Sequence, residues 1–143
     1  MTRTGKTLVR LLAVLALVPL MWLPARADDT GAFRDIISQQ VDAFSRDDGV
    51  RAFSFASPGI REKFQTPDRF MDMVRSGYSP VYRPRSFSFG AVTHELAGLP
   101  TQRVVFVDQT GQIWTALYAF EQQPDGSWKI AAVTFVRTDD AVS

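Results

Sequence analysis

The chain closes on "YAFEQQPDGSWKIAAVTF", residues 118–135, and the reading of this stretch decides the fold. Asp125-Gly126 stands between two apolar runs. Glycine tolerates the positive φ of a tight turn, so the stretch predicts a β-hairpin. Both faces of both strands are apolar. Tyr118 and Phe120 alternate with Leu117 and Ala119, and Trp128 and Ile130 alternate with Ala131 and Val133. A hairpin with one face in water alternates apolar with polar residues. Each face of this one therefore needs a cover.

Working upstream, the period of two continues. "QRVVFVD", 102–108, reads as a strand that "DQTG" turns into the strand 112–122. Phe87 and Phe89 share a face of an earlier strand, about 85–95, with "LAGLP" turning the chain after it. The closing strand runs over about 127–137. Four antiparallel strands in a meander follow from these turns.

Before residue 77 the period is helical. Phe33, Ile37, Val41 and Phe44 line one face of a helix capped by Thr30. Asp47 or Asp48 caps a short second helix. Ser57-Pro58 and Thr66-Pro67 each give an N-cap followed by proline at the first helical position, and Gly77 stands where a C-cap glycine belongs. Between Gly77 and the sheet lies "YSPVYRPR", read as an extended crossing. Short N-terminal helices followed by an antiparallel meander define an α+β domain with helices on one face of the sheet. The second face is expected to be covered by strong curvature, the four strands rolling into a cone.

The first 27 residues read separately. Arg3, Lys6 and Arg10 precede the apolar run Leu11–Leu23, and "ARA" ends at Ala27. This is the order of a secretory signal peptide cleaved after Ala27, with periplasmic or secreted localisation. The run is short for a membrane span, so membrane attachment is expected only through an uncleaved leader. Residues 28–143 then form one domain. The leader holds four of the 16 basic residues and none of the 15 acidic ones, so the domain is mildly acidic, a composition that excludes a nucleic-acid binder. The chain has no Cys and a single histidine, His94, so no metal site and no cofactor are expected.

The helix–helix–helix–sheet order and the closing "DGSWKI", with Gly126, Trp128, Lys129 and Ile130, resemble the nuclear-transport-factor-2-like superfamily, which includes the SnoaL-like cyclases. "SPGIREKF", "TPDRFMDMV" and "GYSPVYRP" are similar to a family of exported bacterial domains with no assigned function. The resemblance implies a cone with a mouth and, in many relatives, a homodimer through the sheet face. It also implies that Asp, Tyr or His side chains in the cone do the chemistry where there is any.

The candidate ligand-binding residues are Tyr118 and Trp114 on the third strand, Tyr78 and Tyr82 at the crossing, and Arg83 and Arg85 two apart on it. Two arginines on one side of an extended segment suit a carboxylate or phosphate. No catalytic residue emerges. The expected function is a non-catalytic module that binds a small apolar or amphipathic ligand or a partner. Two alternatives stand beside it: a cofactor-free acid–base enzyme, and an accessory domain with a filled cone.

Overall fold

A computed structural model describes residues 27–137. The expected leader up to Arg26 and the tail from 138 onward lie outside the described residues. Five helices come first: α1 (Ala27–Ser45), α2 (Gly49–Ser54), α3 (Pro58–Phe64), α4 (Pro67–Gly77) and α5 (Ser79–Tyr82). Four strands follow: β1 (Ser86–Thr93), β2 (Thr101–Val107), β3 (Ile113–Gln122) and β4 (Trp128–Val136). They form one antiparallel sheet in the order β1-β2-β3-β4.

The capping residues act as their chemistry dictates. Asp48, Ser57 and Thr66 accept hydrogen bonds from the backbone N–H of Arg51, Ile60 and Arg69, satisfying donors that the first helical turn leaves free. Three details differ from the sequence reading. Thr30 lies inside α1 rather than capping it, and Gly77 is the last residue of α4, with Tyr78 as its C-cap at φ −133°. The proline-rich crossing is not wholly extended, because Ser79–Tyr82 closes into the single turn of α5.

The apolar stripe of α1 meets the inner face of the sheet. Phe33, Ile37, Val41 and Phe44 are all buried. Phe33 stacks on Phe120 of β3 with ring centroids 4.3 Å apart, and the Trp128 ring meets its edge at 5.0 Å. Each such side chain contributes roughly 1.5–3 kcal/mol by leaving water.

The expected cone is not formed. The sheet is not strongly curled, and β1 and β4 remain its two separate edges. The core cluster takes its sheet residues from the inner face alone, among them Val104, Phe106, Ala116, Tyr118 and Phe120. The outer face carries Val105, Thr115, Ala132, Thr134 and Val136, which stay half-buried. Beside the β1–β2 turn this face is buried at Thr101, Ala119 and Leu117, the last opposite Arg103, whose guanidinium is clamped by Glu95 at 2.7 and 2.9 Å. Small and β-branched residues beside an arginine stem tolerate that position without a second layer. The apolar pattern on both faces therefore does not require closure.

Two irregularities position the site. In β4, Ala131 is an extra residue, since Phe120 pairs with Ile130 and Ala119 with Ala132. A bulge of this kind bends the strand and re-aims its side chains. At the same place the α2–α3 link is stitched to the strand: Ile130 N–H donates to the Phe55 carbonyl and Ser57 N–H to the Ile130 carbonyl, both at 2.8 Å. α3 is thus held beside the bulged half of β4.

A candidate ligand cleft under the third helix

A cavity of about 330 Å³ lies between α3, α4 and the bulged part of β4. Ile60, Lys63 and Phe64 come from α3, and Met73 and Val74 from α4. Ala131, Ala132 and Val133 line it consecutively, where a regular strand would alternate sides; Ala132 is included although its register with Ala119 puts it on the outer face. The two alanines keep this wall thin. None of the residues of α3 is fully buried, so this helix roofs the cleft and meets the core only through half-buried Ile60 and Phe64.

Polar groups are few. Tyr118 is 1% exposed, and its hydroxyl is closed off from solvent with no hydrogen-bond partner among the described residues. Burial pushes its phenol pKa well above the ordinary value, so the group stays neutral and remains a donor. Gln40 of α1 donates its Nε2 to the Ala52 carbonyl at 3.1 Å, and its Oε1 carries no bond among the described residues. The Tyr78 hydroxyl is already committed to the Val133 carbonyl at 3.3 Å. Lys63 is exposed, with Nζ 5.5 Å from the centre of the Phe64 ring. No carboxylate and no imidazole lines the cleft.

The six residues expected at a ligand site separate into two groups. Tyr118 and Tyr78 line the cleft. Trp114, Tyr82, Arg83 and Arg85 do not. Trp114 packs on Phe135 and donates its indole N–H to Asp108 at 2.9 Å. The Tyr82 hydroxyl donates to Asp47, and Arg83 pairs with the same carboxylate at 2.7 Å while stacking on the Tyr82 ring. Arg75 joins them at 3.0 Å. The hydrogen bond from Tyr82, followed by that from Arg75, holds Asp47 below the usual carboxylate range. Arg85 donates to the Gln109 carbonyl at 2.9 Å. These side chains tie the end of α1 to α4 and α5, and the crossing to the β2–β3 turn.

Sequence reasoning passed over Gln40 and Lys63. Gln40 had a visible signal. It lies three residues after Ile37 and four before Phe44, a polar residue on the apolar face of α1. Lys63 had a weaker one, lying three residues after Ile60 on the same side of α3.

Among the described residues no cluster of His, Cys, Asp or Glu is placed to hold a metal ion, and no helix is long and apolar enough to cross a membrane. The fold and cleft define an α+β domain with one helix-covered sheet face and a small, mostly apolar side pocket. A family model described as a domain of unknown function, DUF4864, matches residues 26–142, and the chain belongs to that family. No curated protein and no solved structure matches the chain.

Proposed function

We propose that this domain is a non-catalytic binding module for a small molecule with an apolar body and one hydrogen-bonding group. The observation that carries the reading is the Tyr118 hydroxyl, buried beside an apolar cavity without a partner. An unpaired buried hydroxyl costs a fold roughly 1–3 kcal/mol. Such a group is retained where it serves binding, and small-molecule sites combine apolar walls with a few polar anchors. Gln40 Oε1 supplies a second anchor of the complementary kind, an acceptor. A ligand hydroxyl can serve both once the wall over the Tyr118 oxygen, closed to water in this structure, shifts to admit it. The volume sits at the small end of the ~300–1,000 Å³ typical of ligand sites, which fits one ring with a short chain. Binding is favoured over proton transfer because the lining offers no group able to act as a general base near neutral pH. The leader-like composition of residues 1–27 supports an exported setting, and the Gly126–Ile130 closing strand supports a distant relationship to nuclear-transport-factor-2-like proteins.

The test uses 4-(4-hydroxyphenyl)-1-butanol as probe, whose phenol hydroxyl is the inner hydrogen-bonding group. It should raise the melting temperature of the wild-type protein, and Tyr118→Phe should weaken its binding roughly two- to ten-fold, the worth of one hydrogen bond. Met73→Trp, which fills the cleft, should abolish binding while leaving the circular dichroism spectrum unchanged. No thermal shift with the wild type, or full binding by the filled variant, rejects the reading.

A further inference from the structure

We infer that the ligand carries a single negative charge, held outside the cleft by Lys63. This rests on the binding reading above and adds the charge and the orientation of the ligand. Lys63 is the one basic side chain of the lining, and no acidic residue lines the cleft to oppose an anion. It is also uncommitted. Lys63 has neither an ion pair nor a hydrogen bond among the described residues, only its contact with the Phe64 ring. Arg75 and Arg83 are paired with Asp47, Arg103 with Glu95, Arg69 is bonded to Gln65, and Lys129 to the Ser54 carbonyl. Arg61 of the same helix has, like Lys63, only a ring contact, with Phe53, but it does not line the cleft.

Geometry fixes the direction of entry. Lys63 stands on α3, the helix with no buried residue, whereas Tyr118 stands on a central strand and is 1% exposed. A carboxylate placed beside Tyr118 would lose its water for neutral partners alone, a poor exchange for an ion. At the mouth it keeps its water and gains the ammonium. The apolar body then runs inward over Ile60, Met73 and Val133, and a neutral hydroxyl or carbonyl at the far end reaches Tyr118. The ligand class is an aryl or medium-chain alkyl acid, preferably bearing a second, uncharged polar group remote from the acid.

Three probes of matched size, each with a phenol hydroxyl at the inner end and differing only in the head at the mouth, test this: 4-(4-hydroxyphenyl)butyrate, 4-(4-hydroxyphenyl)-1-butanol and 4-(4-hydroxyphenyl)butylamine, titrated calorimetrically into the full folded domain at low salt. The acid should bind about three- to five-fold more tightly than the alcohol, the range of an exposed ion pair, and the amine more weakly than either. Lys63→Gln should bring the acid to the level of the alcohol without changing the alcohol itself, and Lys63→Glu should place the acid below it. Raising the salt should shrink the advantage of the acid. Equal affinities for acid and alcohol would overturn the charge inference and leave the cleft reading standing. An acid preference that survives Lys63→Gln would overturn the assignment to Lys63. Failure of all three probes to bind would overturn both readings together.

Discussion

Replacing Tyr118 by Phe is expected to make the protein more stable, against the usual direction of core substitutions. The change deletes one oxygen and keeps the ring in place beside Phe106, whose centroid is 6.4 Å away. That oxygen has no hydrogen-bond partner among the described residues, whereas in the unfolded chain water solvates it. Removing it should return most of the ~1–3 kcal/mol of its desolvation, less a small loss of contact, for a net gain of about 1–2 kcal/mol. In a domain of this size that is a rise of roughly 3–10 °C in melting temperature. Urea titration gives the cleaner number, since the midpoint should rise with the slope unchanged. Tyr78→Phe is the matched control. Its hydroxyl donates to the Val133 carbonyl at 3.3 Å, so its loss should destabilise by about 0.5–1.5 kcal/mol. Opposite signs for the two substitutions are the expected result. A Tyr118→Phe variant destabilised as much as the control would show that the Tyr118 hydroxyl is satisfied, and the argument for a ligand anchor would fall. Gain of stability with loss of affinity at one position is the trade expected of a binding residue.

Two further perturbations test how the frame is held. Asp108 accepts hydrogen bonds from Thr110 and from the Trp114 indole, and these, with the backbone N–H groups of Gln112 and Thr110, hold its pKa down to about 2 from 3.8. A depressed carboxylate pKa stabilises the fold above 3.8, and that stability is lost as pH falls towards 2. Acid titration followed by tryptophan fluorescence should show this loss in the wild type. Asp108→Asn should be less stable at neutral pH and flat through the same window; an unchanged acid profile would remove Asp108 from the account. Gln65 ends α3 at φ +67°, a region that side chains disfavour. Gln65→Gly should therefore raise the urea midpoint by the equivalent of about 1 kcal/mol. A drop in midpoint would mean that the bond Gln65 accepts from Arg69 at 3.1 Å outweighs the strain.

Much of the frame was legible because its signals are local. Asp48, Ser57 and Thr66 cap the helices they precede, and Gly111 and Gly126 take the positive φ, +87° and +86°, that their turns demand. α5 was missed because a four-residue turn beginning Ser79-Pro80 has too few residues to show a period. Curvature was misread because it depends on how far half-exposed apolar residues are tolerated, and Val105, Ala132 and Val136 are small enough to be left so. The site was half legible. Tyr78 and Tyr118 stand out in the sequence as aromatics with a polar tip, and both line the cleft. Arg83 and Arg85 were grouped by spacing, but their partners, Asp47 and Gln109, lie 36 and 24 residues away in the chain. Pairing over such separations is fixed by tertiary packing. The bulge at Ala131, which opens the cleft wall, leaves no mark in "KIAAV" beyond two small residues.

The central claim is that the cavity beneath α3 binds a small apolar molecule. Its most direct test is methyl NMR of the labelled protein during titration with 4-(4-hydroxyphenyl)butyrate. The account predicts shifts that saturate at the methyl groups of Ile60, Met73, Val74, Ile130 and Val133, which line the cleft, and silence at Val105, Val107 and Val136 on the outer sheet face. Shifts confined to the outer face, or none anywhere at millimolar probe, would contradict it.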